Sequence, residues 1–382
     1  MTRRPASTHS CEVLVVGLGP AGGAAAAAAA SRGLKVMAVE RKREIGVPVQ
    51  CAEFIPLPLA RHARAPGVLA QRVNGMRSVL PSGAAHASPL AGLMVERAAF
   101  DQALAGEAEG AGAALHRASR LAALDGERRV ARIATPRGAL EVAYRALIAA
   151  DGPHSTVAAL LGLPALATVN TRQYTVPLAK PESETAIWLS DAYPGGYAWL
   201  FPKGGRANLG VGMDPRLDAD MKTPLDALHR HLVAERRVGP EVLFATGGAI
   251  PVGGLRERLV IGAVMFAGDA AGLTHPVTGA GIAAAVISGE RAAEAAHALV
   301  CEDKAGAFAE YEEDIRDQFQ ASIERGLGRR RELERAWRSA EASRDAIQRR
   351  GWIAFEEYYR EPSAAREQGA LKHPLGAADP RR

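Results

Sequence analysis

The chain has 382 residues, of which 48% are hydrophobic, 23% charged and 5% aromatic, with a formal net charge of +5. That is enough chain for a large core and two or three domains, and the balance excludes wholesale disorder. The positive charge is not interleaved with stacking aromatics, so nucleic acid is not an expected partner and solvated arginines account for it.

Residues 1–10 read as a loose polar arm. Residues 11–16 read as a buried parallel strand, followed by Gly17-Leu18-Gly19-Pro20-Ala21-Gly22. The seven alanines Ala24 to Ala30 predict a helix that can lie close to a sheet, because alanine is both a strong helix former and small. Residues 35–39 read as a second strand, completing a βαβ unit. Four glycines between Gly17 and Gly23 interrupt this apolar stretch, which argues against a cleaved signal peptide. No other stretch is long and apolar enough to span a bilayer. Residues 41–94 read as inserted loops and short elements, 97–109 as a helix, 113–149 as strands, and 145–150 as a short strand ending at Asp151-Gly152. A short helix follows at 155–161. Strands at 173–179, 185–190, 197–202, 207–213 and 244–250, with a helix at 224–236, predict an antiparallel sheet. Residues 258–267 return to a buried strand, 279–299 form a long helix, 304–350 are helical and charged, and 361–382 are a loose tail. The expected fold is therefore α/β: a Rossmann-like dinucleotide-binding domain (11–165 and 251–300), an inserted antiparallel β-sheet substrate domain (166–250) and C-terminal helices (301–360).

Gly17 permits a tight strand-to-helix turn, Gly19 lets the backbone approach a pyrophosphate, and Gly22 lets helix and strand pack closely. Pro20 and Ala21 open the helix, whose free N–H groups suit phosphates. Glu40, at the end of the second strand, would bond the adenosine ribose hydroxyls, with Arg41 beside it. Cys11, Cys51 and Cys301 form no CxxC pair and no Cys/His cluster, so no metal is expected and a reducing, cytoplasmic compartment is.

Three further motifs carry a resemblance. Val95-Glu96-Arg97 with Phe100-Asp101 and Leu104 resembles the arginine-bearing helix start of FAD-dependent hydroxylases and reductases. Ala150-Asp151-Gly152 with His154-Ser155 and Val157 resembles their Asp-Gly motif. Gly268-Asp269-Ala270-Ala271-Gly272, with Pro276 and Gly279-Ala280-Gly281-Ile282, resembles their third. The resemblance spans residues 11–300 and implies non-covalent FAD in a fold of the p-hydroxybenzoate-hydroxylase type, with Arg97, Asp151, Gly152, Gly268 and Asp269 in the cofactor site. On physical grounds, Asp269 at a strand's end can bond a ribityl hydroxyl or a pyrophosphate-bound water, or simply cap a helix. Gly279, Ala280, Gly281 and Ile282 would set a helix N-terminus beneath a flat ring, stabilising negative charge on a reduced flavin by up to roughly 2 kcal/mol.

Pro194-Gly195-Gly196-Tyr197-Ala198-Trp199-Leu200-Phe201-Pro202 resembles the PxxYxWxFP signature of the geranylgeranyl reductase family. Tyr197, Trp199 and Phe201 alternate, so they share one face of a strand and could wall an apolar pocket. Residues 46–53 are similar to that family's cysteine segment, although Ala52 stands where many members carry glycine. Cys51 is a candidate proton donor, or a small buried hydrophobe. His275 stands where relatives often carry asparagine; it could bond the flavin and titrate near neutrality, or serve as a structural loop residue. Residues 325–350 carry nine arginines and read either as a membrane-surface helix or as a solvated helix with i,i+4 ion pairs.

The resemblance implies an FAD-dependent reductase that passes a hydride from reduced flavin to C=C bonds of an apolar, isoprenoid-like or lipid substrate. With one dinucleotide fingerprint visible, NAD(P)H would visit transiently or a ferredoxin-like donor protein would supply electrons. Peripheral membrane contact is left open. The alternatives are an FAD-dependent monooxygenase acting through a flavin C4a-hydroperoxide on an aromatic or peptidyl substrate, and a flavoprotein whose cofactor is structural. The fold does not decide between these chemistries.

Overall fold

The computed structural model describes residues 7–218, 220–339 and 341–360; the tail at 361–382 and the first six residues of the arm lie outside it. The strand Val13–Val16 is apolar and buried throughout, as a strand covered on both faces must be. It pairs in parallel with Val36–Val39 and with Ala146–Ala149, and the latter pairs in parallel with Val264–Phe266. Ala114–His116 and Val260–Ile261 complete a six-stranded sheet at its two edges. The alanine-rich stretch forms the helix Pro20–Ser31, and the helix Ile282–Cys301 packs against it backbone to backbone: a Cβ on Gly289 would lie 2.1 Å from the Ala21 carbonyl oxygen. Parallel pairing has a direct consequence. The C-terminal ends of three strands deliver Gly17, Ala150 and Ala267 to one rim of the sheet, where open α/β sheets bind ligands.

A seven-stranded sheet stands over that rim, in the order Phe244–Pro251, Thr168–Pro177, Arg206–Met213, Tyr197–Lys203, Glu184–Trp188, Gly75–Val79, Ala85–Ser88. The helix Lys222–Ala234 covers one face through Leu225, Leu228 and Leu232, against Leu200, Leu209 and Val211. The opposite face is left for the cleft described below. Two features differ from the sequence expectation. The sheet is not wholly antiparallel, since Glu184–Trp188 pairs in parallel with Gly75–Val79. Its last two strands come from residues 41–94, read as inserted loops and short elements, which also form a three-stranded sheet of Phe54–Pro56, Gly92–Val95 and Leu69–Val73. Strands of three to five residues are too short to show a hydrophobic period.

The arm also differs: Ser7–Ser10 is a strand, parallel to Gly138–Ala143. Backbone pairing holds it without a hydrophobic pattern. At the other end, the helices Ala307–Arg338 and Asp345–Gly351 fold back over the molecule. Two arginines of the arginine-rich stretch are buried and tied into the protein, while Arg325, Arg331, Arg335, Arg338 and Arg344 are exposed. Arg330 is buried and donates from Nη1 to the Gly195 carbonyl at 2.9 Å and from Nη2 to Asp214 at 3.0 Å. Arg329, also buried, donates from Nε to the Tyr358 carbonyl at 2.9 Å. Among the described residues no helix is long and apolar enough to cross a membrane.

Candidate active site

Two joined cavities of about 490 and 400 Å³ open at the rim of the parallel sheet. Both are lined by Gly19, Arg97, Ala150, Gly152 and Asp269, so they form one cleft. The first half is polar and runs past Glu40, Arg41 and Asp151; the second is largely apolar and runs past Tyr197, Trp199 and Phe201.

The glycines of the first turn divide their work as geometry requires. Gly17 has φ +95°, and a Cβ there would lie 2.4 Å from the Ala150 carbonyl oxygen. A Cβ on Gly22 would lie 1.8 Å from the Gly17 carbonyl oxygen. A Cβ on Gly19 would meet nothing within 4 Å, because Gly19 faces the open cleft. The helices beginning at Pro20 and Ile282 have Gly19 and Gly281 as N-caps, with no side-chain cap bond. Their first-turn N–H groups are thus unclaimed, and both helix starts line the cleft. Glu40 holds the turn from behind: its Oε2 accepts from the Leu18 amide and its Oε1 from the Lys42 amide, each at 2.9 Å.

Asp151 accepts from the Val157 amide through Oδ2 at 3.1 Å, while its buried Oδ1 has no hydrogen-bond partner among the described residues. Burial pushes this carboxyl above the usual range. A buried oxygen without a donor calls for one from a bound group, and Asp151 lines the polar half of the cleft. Asp269 accepts from Thr274 Oγ1 at 2.7 Å and is likewise raised by burial. It lies in a short turn at Gly268–Ala271 and reaches the start of the long helix, where a Cβ on Gly281 would lie 3.2 Å from Asp269 Oδ1. Open space at Gly19, uncapped helix starts and an orphaned carboxylate oxygen fit FAD.

Arg97 grips Asp101 with two bonds, at 3.1 and 2.9 Å, and its own amide donates to Glu53 Oε1 at 2.8 Å. Glu53 is a non-glycine residue at φ +70°, buried, and its carboxylate also accepts from Lys203 Nζ at 2.5 Å and Asn208 Nδ2 at 2.7 Å. The Glu53 amide donates to Cys51 Sγ at 3.2 Å. Burial pushes the Cys51 thiol up, against the opposing Arg97 charge; it is therefore a protonated thiol at neutral pH, lining the cleft.

Tyr197, Trp199 and Phe201 point to one face and line the apolar half together. Tyr197 Oη donates to the Thr278 carbonyl at 2.5 Å. Trp199 Nε1 donates to Gln173 Oε1 at 3.2 Å, and Gln173 Nε2 to the Cys51 carbonyl at 3.1 Å, which links the aromatic strand to the cysteine segment. Phe54 and Trp352 add two further large rings, the latter from the C-terminal segment. His275 lies elsewhere. Its Nδ1 accepts from the Val277 and Thr278 amides at 3.3 and 3.2 Å, and its Nε2 faces Tyr358 Oη at 3.1 Å. With both ring nitrogens engaged and the pKa pushed down to about 4 by burial, it is a neutral tie within the loop that carries Gly279; it is not among the residues lining the cleft. The sequence reading missed the Glu53–Lys203 pair, Gln173 and Trp352. A charged residue directly after the aromatic nonapeptide, at 203, was the available signal for the first.

Together the fold and the cleft define an FAD-dependent oxidoreductase. A sequence model of the geranylgeranyl reductase catalytic domain matches residues 168–250. Digeranylgeranylglycerophospholipid reductase 1 of Methanopyrus kandleri is 37% identical over 340 residues, covering 82% of this chain and 89% of that protein. The digeranylgeranylglycerophospholipid reductase of Methanosarcina acetivorans is 34% identical over 308 residues, covering 76% and 75%. Among solved structures, a geranylgeranyl bacteriochlorophyll reductase-like protein of Thermoplasma acidophilum superposes with a TM-score of 0.82 at 27% identity, over 91% of this chain and 93% of the other. Aklavinone-11 hydroxylase, solved with FAD and aklavinone, shares the fold alone, with a TM-score of 0.67 at 22% identity, over 85% of this chain and 68% of the other. The chain belongs to the geranylgeranyl reductase family.

Proposed function

We propose that this protein reduces carbon–carbon double bonds in the isoprenoid chains of a lipid. The observation that carries the reading is the two-part cleft, in which a polar half built for a dinucleotide opens into an apolar half walled by Tyr197, Trp199 and Phe201. Reduced FAD supplies the electron pair for the alkene when bound. The chain's own residues bind and orient. Gly17, Gly19, Pro20, Ala21 and Gly22 hold the diphosphate, and Glu40 with Arg41 fixes the adenosine end. Arg97, Asp151, Gly152, Gly268 and Asp269 hold the middle of the cofactor, and residues 279–282 seat its ring. The aromatic face excludes water and aligns the chain. Cys51, kept protonated by burial, holds a proton beside the apolar half and is the proton donor in this reading. Electrons come from NAD(P)H or a ferredoxin-like protein, and a lipid substrate favours contact with a membrane surface.

The test is anaerobic. The purified holoenzyme is reduced with dithionite and offered a geranylgeranyl-chain phospholipid. A product heavier by two hydrogens per double bond is expected. A product that gains an oxygen atom, formed only in air, overturns the reading in favour of a monooxygenase.

A further inference from the structure

Beyond the aromatic wall lies a second, smaller cavity of about 20 Å³, lined by Leu189, Val277, Leu333, Trp337, Gln348 and Gly351, with the buried Arg330 at its edge. Tyr197 and Trp352 line both this space and the apolar half of the cleft. Their ring centroids are 4.8 Å apart at an interplanar angle of 60°, so the two rings form a partition. Each is pinned. Tyr197 is held by its bond to the Thr278 carbonyl, and Trp352 Nε1 donates to Ser78 Oγ at 3.1 Å, with Ser78 fully buried. Trp352 is itself buried in the cluster that holds Val73, Met94, Leu189, Trp199 and Phe355. Tyr197 comes with the aromatic strand, but Trp352 arrives from the C-terminal segment, immediately after the helix Asp345–Gly351.

We infer that Trp352 is the chain-length stop of the cleft. An apolar chain lying along Tyr197, Trp199 and Phe201 ends at the indole, and removal of the indole joins the small cavity to the cleft and lengthens it. The C-terminal helical segment, rather than the sheet that carries the aromatic signature, then sets how long a hydrocarbon chain is accepted. The inference rests on the reading of the apolar half as a prenyl-chain site.

The experiment uses the full-length holoenzyme and Trp352→Ala, with geranyl, farnesyl, geranylgeranyl and geranylfarnesyl alcohols as probes. Binding is read from perturbation of the flavin absorbance and turnover from anaerobic reduction. The kcat/KM ratio of the longest to the shortest alcohol should rise at least about ten-fold in Trp352→Ala, the scale of a lost steric contact in an apolar pocket. The binding cut-off should move to longer chains in step. An unchanged ratio and cut-off in a variant that keeps its flavin overturns the inference. Should Trp352→Ala fail to fold, Trp352→Leu must move both readouts in the same direction, and no movement there is equally fatal. The two layers fail separately. A cut-off that moves with Trp352 while no alcohol is reduced sinks the reductase reading and leaves the stop; turnover with an unmoved cut-off does the reverse.

Discussion

Lys203→Met should destabilise the protein and loosen its cofactor together. Lys203 and Glu53 are both buried, with side-chain exposures of 5% and 4%, and their charges meet at 2.5 Å. Removing one member of such a pair strands the other in a poorly polarisable interior, at a typical cost of about 3–5 kcal/mol. Glu53 keeps two donors, the Arg97 amide and Asn208 Nδ2, which puts the loss at the lower end, about 3 kcal/mol. At about 2 °C per kcal/mol for a long chain, the flavin-free protein should melt roughly 6 °C lower. The same carboxylate holds the amide at the head of the Arg97 helix, and the Glu53 amide holds Cys51, so FAD should also bind more weakly. Adding Glu53→Gln removes the stranded charge, and the double variant should regain about 1 kcal/mol or more over Lys203→Met alone. Scanning calorimetry of flavin-free protein and fluorescence titration with FAD give both readouts. A melting point within about 1 °C of the parent, together with no recovery in the double variant, would refute the reasoning.

Other consequences follow from single distances. Gly22→Ala places a methyl 1.8 Å from the Gly17 carbonyl oxygen and should cost about 3 kcal/mol or more, seen as a lower denaturation midpoint. Gly19→Ala meets nothing within 4 Å among the described residues. It should leave flavin-free stability within about 0.5 kcal/mol of the parent while weakening FAD binding at least about ten-fold; undiminished FAD affinity would show that the cofactor does not lie there. Cys51→Ala should retain FAD yet lose about 10²–10⁴ in kcat, and parent-like turnover would remove the thiol from the proton path. His275 has a pKa near 4 against an ordinary 6.5. The unfolded chain therefore binds the extra proton first, and stability present above pH 6.5 is lost as pH falls towards 4, by about 3 kcal/mol in all. His275→Asn should flatten that acid limb in urea titrations, and an unaltered limb would assign it to other groups.

The polar half of the cleft was legible because its logic is local. A buried strand, a glycine turn and a small-residue helix lie within one continuous stretch, and backbone atoms do most of the work, so Gly17, Gly19 and Gly22 could be given distinct roles before any coordinates. The third rim motif, around Asp269, was legible for the same reason. Parallel pairing of Ala146–Ala149 with Val13–Val16 and Val264–Phe266 then brought the segments together. What escaped was non-local or aperiodic. The Glu53–Lys203 pair joins residues 150 apart, and its one local mark is the place of Lys203 directly after the aromatic nonapeptide. Gly75–Val79 and Ala85–Ser88 join the seven-stranded sheet by backbone pairing, in a segment without alternation. His275 was marked by its place in a motif, but a ring's role depends on what fills the space around it, here Tyr358 and two loop amides.

The aromatic nonapeptide shows where such reading stops. Strict alternation settles that Tyr197, Trp199 and Phe201 share a face, and Ala198 and Leu200 do pack on the other side, beneath the helix Lys222–Ala234. Alternation does not settle what stands opposite. That position is taken by Trp352, held to Ser78 across 274 positions of sequence and brought there by a charged helical segment with no apolar signature of its own. The strand therefore fixes the chemistry of the wall, while a separate part of the chain fixes where the wall ends. Substitutions in the C-terminal segment can thus alter the length of the cleft with every signature residue intact, so proteins sharing the whole nonapeptide need not accept the same chain, and residue 352 is the position at which to look for the difference.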